Sequence, residues 1–339
     1  MRRSAFSRLG PPSRSGASLV ELLVVVALVA LLLGLMLPAV QSAREAGRRL
    51  QCLTNLRQLA LAALSHETVH GALPTGGWGG AWSGDPDRGF GVRQPGGWAF
   101  TLLPYLEQAR LHMAGGGLAD PEAKADQAVV RLTTPLAIFA CPARRAATTW
   151  PLSPSKPALR LVAVPITVAR HPPAVVRGDY AANMGSGTFP ANRYRSGGSP
   201  ATVAEGDPLT ESAWQAAYGP PTDGLVFRRS RVRLKDIADG TTATYLLGEK
   251  YVDPSKLATG LSDDDDQCLY AGHDRDGLRV GLGPPVQDRP GFEPVSISFG
   301  SGHADGCGMA TADGSVSVVD YAIDPLVHRS RASRNDGGR

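Results

Sequence analysis

Once its first 16 residues are set aside, this 339-residue chain has almost no net charge. Those residues carry Arg2, Arg3, Arg8 and Arg14 and no acid; without these four, the 35 Lys and Arg fall to 31, equal to the 31 Asp and Glu. A nucleic-acid-binding domain would need a basic stripe, and none is readable, so nucleic acid is not an expected partner. The short cluster Arg228 to Arg233 leads into Val232 and Leu234 and reads as a solvated strand face. A nucleophile elbow, a phosphate loop and a carboxylate pair at readable spacing are missing too, which argues against an enzyme. Cysteine is scarce, with four residues, and the one long apolar run, Leu19 to Val40, holds a single charge, Glu21.

What is present begins with that run. Residues 17–40 would form a helix of roughly 36 Å, enough for a bilayer core of about 30 Å. A carboxylate within it costs roughly 2.5 to 3.5 kcal/mol on insertion scales, so Glu21 is expected to be paired or functional. The small residues of GASLVE at 16–21 precede the apolar segment, whereas a secretory signal places its cleavage site after it. Gly16, Ser18, Leu19 and Glu21 resemble the class III leader of type IV prepilins and type II secretion pseudopilins, with Ala17 where Phe is commoner. The resemblance implies that prepilin peptidase cuts between Gly16 and Ala17 and methylates Ala17. The apolar helix would stay on the mature chain, with Glu21 facing the amine of a neighbouring subunit.

Beyond the span, Ala46, Leu50, Leu53, Leu56, Leu59 and Ala63 recur every three or four residues among arginines, the pattern of an amphipathic helix. Gly71 and Pro74 end it. The 40 glycines and 27 prolines favour short strands and long loops. WAFTLLPYLEQARLHM from Trp98 reads as a later helix. LAIFACP, RLVAVPITV, DGLVFRR, TTATYLLGEK, VSISFG, GMATA and SVSVVDY read as strands. Asp313-Gly314 reads as a type I′ hairpin turn. The expected fold is α+β: a long N-terminal helix on a mainly antiparallel sheet with long loops. The organisation is a leader at 1–16, a transmembrane helix at 17–40, an amphipathic stalk at 41–71, a globular domain at 72–328 and a disordered basic tail at 329–339.

Several groups are candidates for chemistry. HETVH at 66–70 fits a zinc pattern, but Gly71 follows His70 at once and no third ligand stands at a known spacing, so it reads as a helix end. Asp263, Asp264, Asp265 and Asp266, with Asp274 and Asp276 in HDRDG, form an oxygen-rich set suited to Ca²⁺, although EF-hand spacing is missing and a solvated acidic loop explains the run equally well. Cys52, Cys141, Cys268 and Cys307 allow three pairings; Cys52 with Cys141 and Cys268 with Cys307 is favoured, with free buried thiols as the alternative. His303 is followed by nine residues and then Asp313-Gly314. A site there would need a third group such as Asp305, His273, Asp274 or Asp276; otherwise His303 bonds backbone and Asp313 makes the turn.

Across GASLVELLVVVALVALLLGLMLPAVQSARE, CLTNLRQLALA, GWAFTLLPYLEQ, FACP, DYAANMG, VRLKDIADGTTATYLLGE, YAGHDRDGLR and FGSGHADGCGMATADGSV, the chain resembles large bacterial prepilin-like proteins that end in a His-x9-Asp-Gly motif. That resemblance implies a single-pass inner-membrane protein with an extracytoplasmic domain. Its partners would be prepilin peptidase, the membrane and pilin-like subunits bound through the helix, within a type IV pilus or type II secretion-like filament. No resident cofactor is implied. The alternative is a surface-anchored glycan- or substrate-binding module using Trp78, Trp82 and Trp98 as stacking faces.

Overall fold

The computed structural model describes residues 18–154, 158–162, 167–187, 198–294 and 297–337. The processing residues Gly16 and Ala17 lie outside them. Two compact units divide the chain between Gly47 and Arg48.

The first unit holds the start of helix α1 (Leu19–His70). Its first turn closes on itself: Ser18 N donates to Glu21 Oε2 at 2.8 Å, and Glu21 N donates to Ser18 Oγ at 3.3 Å. This reciprocal pair satisfies two donors that an N-terminus otherwise leaves orphaned. Every residue from Leu19 to Val40 is exposed, and the segment is long and apolar enough to cross a membrane. Pro38 sits inside the helix without ending it.

In the second unit α1 continues as a packed helix. Cys52, Leu56, Leu59, Ala60, Ala63 and His66 are buried at intervals of one, three or four, the stripe expected of an amphipathic helix. Gly71, at φ +69°, ends it and donates its N–H to Glu67 O at 2.7 Å.

The helix expected from Trp98 is broken into α2 (Trp98–Leu102), a 3-10 turn at Leu103–Leu106 and α3 (Ala109–His112). Pro104 lacks the donor a helix needs, and Glu107 turns left-handed at φ 62°. A helix not foreseen, α4 (Pro121–Thr133), follows; Asp120 caps it by accepting from Glu122 N at 3.1 Å, with Pro121 in its first turn. Strand β1 (Thr149–Pro151) pairs with β4 (Ala174–Val176), and β2 (Leu159–Val162) with β3 (Val168–Arg170), both antiparallel. Then come β5 (Tyr180–Gly185), α5 (Val203–Gly206), α6 (Glu211–Tyr218), β6 (Tyr245–Glu249), β7 (Leu278–Val280), β8 (Val286–Gln287), β9 (Gly300–Ser301), β10 (Cys307–Thr311), β11 (Val316–Val319) and α7 (Pro325–Ala332).

Among the described residues the largest sheet runs β11-β10-β6-β5-β7, antiparallel except for the β5–β7 pair. The fold is α+β, a long N-terminal helix followed by a mainly antiparallel sheet domain. Three expected strands are not strands. LAIFACP forms a 3-10 turn at Ala137–Phe139. DGLVFRR is a buried loop whose Leu225 and Val226 amides both donate to Asn183 O at 3.0 Å, replacing a ladder. Arg228 to Arg233 is not a strand, though Arg231 and Arg233 are exposed on either side of buried Val232; Arg228 is half-buried, and Arg229, at φ 53°, lies 4.4 Å over the Trp214 ring. The tail expected to be disordered from 329 is ordered through 337. Residues 329–332 complete α7, whose His328 and Ala332 are buried, and Arg334 donates to Thr222 O at 2.7 Å.

The β10–β11 hairpin departs from type I′ in its turn. Asp313 is not among the positive-φ residues; Gly314 alone takes φ +83°, and its N–H donates to Thr311 O at 3.0 Å. That is a three-residue loop, a turn closed by a left-handed glycine. A Cβ on Gly314 would lie 3.1 Å from Leu64 and 3.3 Å from Leu61, so the turn rests against α1. Gly314→Ala is expected to cost about 1 to 2 kcal/mol from the left-handed penalty. Urea unfolding of the protein measures this, and an unshifted midpoint would refute the assigned turn.

Candidate functional site

Four residues from distant parts of the chain meet beside the packed half of α1. Cys52 is the first buried residue of that helix, and Cys141 follows the turn Ala137–Phe139. The two form a disulfide with Cα atoms 5.3 Å apart, as one of the expected pairings had it. Glu249 ends β6, and His303 precedes β10. His303 Nε2 lies 3.7 Å from Cys141 Sγ and 3.8 Å from Glu249 Oε1. All four residues are buried, and their ligand atoms lie within 4.8 Å of one another.

Each member is held by backbone. Glu249 Oε2 accepts from Gly308 N at 2.8 Å, whereas its Oε1 accepts no hydrogen bond among the described residues. His303 N donates to Ser301 Oγ at 3.2 Å, and His303 O accepts from Tyr321 OH at 2.6 Å. Cys141 N donates to Asp179 Oδ2 at 2.8 Å, and Tyr180 OH donates to Cys52 O at 3.1 Å. Buried Arg144 lies nearby, its Nε 2.8 Å from Asp288 Oδ2 and its Nη1 3.2 Å from Asp179 Oδ1. Burial raises the Glu249 carboxyl above the usual carboxylate range, while Arg144 pulls it back.

The His-x9-Asp-Gly spacing has a mechanical meaning here. His303 stands at one end of β10, beside the disulfide, and Gly314 at the other, against Leu61 and Leu64. Between them a Cβ on Gly308 would lie 3.0 Å from Leu53. The nine-residue interval therefore spans β10 laid along α1, and His303 and Asp313 do not form one site. Asp313 serves the turn, accepting from Thr311 Oγ1 at 2.5 Å and Ser315 N at 2.9 Å. Of the groups considered as a third member, Asp305 pairs instead with Arg49.

Cys268 and Cys307 are free and buried, correcting the second expected disulfide. They sit in different clusters, Cys268 in the main core and Cys307 beside Tyr245, Phe299 and Met309. Burial pushes the Cys268 thiol up to about 12 and Cys307 well above its ordinary value, so neither is a ready thiolate.

The six aspartates proposed for Ca²⁺ separate. Asp266, Asp274 and Asp276 converge, their ligand oxygens within 4.8 Å of one another. Asp265 is instead neutralised by Arg145 and by Lys250 at 2.9 Å, with Arg177 at 3.6 Å. Burial alone would raise its pKa, but these cations hold it far below the carboxylate range. Asp263 and Asp264 pair with Arg275 at 3.9 and 2.8 Å. In the converging trio, burial drives Asp276 well above its usual value despite Lys250, and repulsion from Asp266 and Asp274 adds to the rise. Three carboxylates carry six oxygens, so this trio keeps together half of the acidic set considered for Ca²⁺, which takes six to eight.

At the end of α1, His66 and His70 line a cavity of about 330 Å³ with Phe90, Arg93 and Arg231. His66 Nδ1 donates to Ala72 O at 2.9 Å, and His70 Nε2 lies 2.8 Å from Tyr105 OH. Trp78, Trp82 and Trp98 are buried, the first two packed with Trp214, so the stacking faces expected of a glycan site point into the core.

A prominent apolar helix leading an α+β sheet domain is thus the class the geometry defines. The chain belongs to the family described as Protein of unknown function (DUF1559), whose model matches residues 41–326. No curated protein and no solved structure matches it.

Proposed function

We propose that the protein is a membrane-anchored, pseudopilin-like structural subunit: trimmed by prepilin peptidase, retained in the inner membrane by α1, and assembled through that helix into a type IV pilus or type II secretion-like filament. It displays its sheet domain outside the cytoplasm and is not an enzyme. The observation that carries this reading is α1 itself. Its apolar residues are all exposed from Leu19 to Val40, yet the same helix becomes a buried core element of the domain from Cys52. A discarded signal has no reason to be continuous with the core it precedes.

Glu21 gives the test its resolution. Within one chain the carboxylate is engaged by Ser18 N, a capping role that glutamine also fills. Assembly through a neighbour's amine needs the charge as well. Glu21→Gln is therefore expected to keep the helix and membrane insertion but abolish incorporation into filaments, read by shearing and blotting. Mass spectrometry of the mature chain should find N-methylated Ala17 as its first residue. An intact Met1, or a chain without residues 17–40, would overturn the proposal.

A further inference from the structure

The buried quartet beside α1 has a donor set that a disulfide alone does not require. Two sulfurs, one imidazole nitrogen and one carboxylate oxygen converge from four separate segments. Thiolate, imidazole and carboxylate are the ligands zinc takes in closed tetrahedral sites. Zn–S bonds of about 2.3 Å and Zn–N or Zn–O bonds of about 2.1 Å give a tetrahedron with edges of roughly 3.4 to 3.8 Å. The two edges present, Cys141 Sγ to His303 Nε2 at 3.7 Å and His303 Nε2 to Glu249 Oε1 at 3.8 Å, have that length.

A second feature points to a ligand. Glu249 is 1% exposed, and its Oε1, directed toward His303, accepts no hydrogen bond among the described residues. Leaving a buried carboxylate oxygen without a donor is costly unless a cation meets it. Its other oxygen is fixed by Gly308 N, which aims the free one at the quartet. Two thiolates and a carboxylate around Zn²⁺ leave one net negative charge, which would lie in the field of buried Arg144, itself shared with Asp179 and Asp288.

We propose that, when the Cys52–Cys141 bond is reduced, Cys52, Cys141, Glu249 and His303 form a closed four-ligand zinc site, so that the same residues hold the domain by a disulfide in one redox state and by a metal in the other. Reduction by a dithiol moves two electrons and two protons to the protein sulfurs, and the dithiol leaves as its own disulfide. Zinc then displaces the two thiol protons to solvent as both sulfurs bind. Oxidation by a disulfide donor reverses the sequence: the two thiolates give up two electrons to it, it takes two protons from solvent and leaves as a dithiol, the protein S–S bond re-forms and Zn²⁺ is released.

The test uses the full chain in detergent, reduced with a dithiol, freed of it under nitrogen and titrated with Co²⁺. The expected result is one cobalt per chain, with a thiolate-to-cobalt charge-transfer band and the strong ligand-field bands of tetrahedral cobalt, bleached by Zn²⁺. The unreduced chain should give neither. His303→Ala and Glu249→Gln should each weaken binding by at least about tenfold. Wild-type protein carries the decisive measurement, so a variant that fails to fold does not blunt it. A reduced wild-type chain without the charge-transfer band overturns the proposal, as does a band that persists in Cys52→Ser/Cys141→Ser, or equal metal affinity with the disulfide intact.

Discussion

Stability should fall steeply as pH drops from 6.5 to 4, because four buried imidazoles must then take up protons in order to unfold. His66, His112 and His328 are each lowered to about 4 and His273 well below its ordinary value, first by burial and then by His70, Arg131, Arg331 and Arg228 respectively. Their surroundings explain why. His112 stacks between Phe90 and Phe100, with ring centroids 5.1 and 4.4 Å away. Neither ring nitrogen of His328 has a hydrogen-bond partner among the described residues, and His66 Nε2 lacks one as well. Between pH 4 and 6.5 the unfolded chain binds protons that the folded chain refuses, so stability rises with pH across that window. It is fully present above about 6.5 and is lost as pH falls toward 4. Each of the three lowered to about 4 contributes at most roughly 3.4 kcal/mol, from 1.36 kcal/mol per unit of pKa. Urea midpoints at pH 7, 5.5 and 4 should show the decline, and His112→Phe should flatten it by roughly a quarter. A midpoint independent of pH would contradict the burial assigned to these rings.

Replacing both Cys52 and Cys141 by alanine should cost about 4.5 kcal/mol, the loop-closure value for a cross-link of this span. The bond joins residues 89 positions apart, so the unfolded chain gains a long loop when it is lost. Denaturant unfolding of the oxidised wild type against the double variant measures this. If the reduced wild type binds zinc as proposed, the metal should restore part of the loss to it and none to the double alanine chain. Equal stability of oxidised wild type and variant would mean that the tie is not part of the folded state.

Much of the scaffold is legible from local chemistry. The heptad-like stripe from Leu53 to Ala63 and the Gly71 stop define the packed half of α1, and alternation around Asp313-Gly314 marks the final hairpin. Local signals fail where tertiary context decides. Leu225 and Val226 look like strand residues, but Asn183 O absorbs both their amides. The sequence from Trp98 has helical spacing, but Pro104 and Glu107 interrupt it. For α4 the Asp120-Pro121 start was available to read; its buried face rests largely on alanines Ala125 and Ala128, which give a weak apolar pattern. The site was half legible. His303 and the cysteines stand out by type, whereas Glu249 carries no local signal, and its approach to His303 exists only after β6 and β10 pair. The aspartate run failed in the opposite way, because the cations that claim Asp265 are more than ten residues away along the chain.

The position of Cys52 has a consequence for load. If α1 anchors the protein as proposed, a pull on its N-terminal end passes the Arg49–Asp305 ion pair and then meets, at the earliest buried residue of the helix, a covalent bond to Cys141. Traction would be borne there by a sulfur–sulfur bond before the leucines beyond it are sheared. In the proposed assembly, tension would thus be carried by a covalent link and not by the packing of the rod alone.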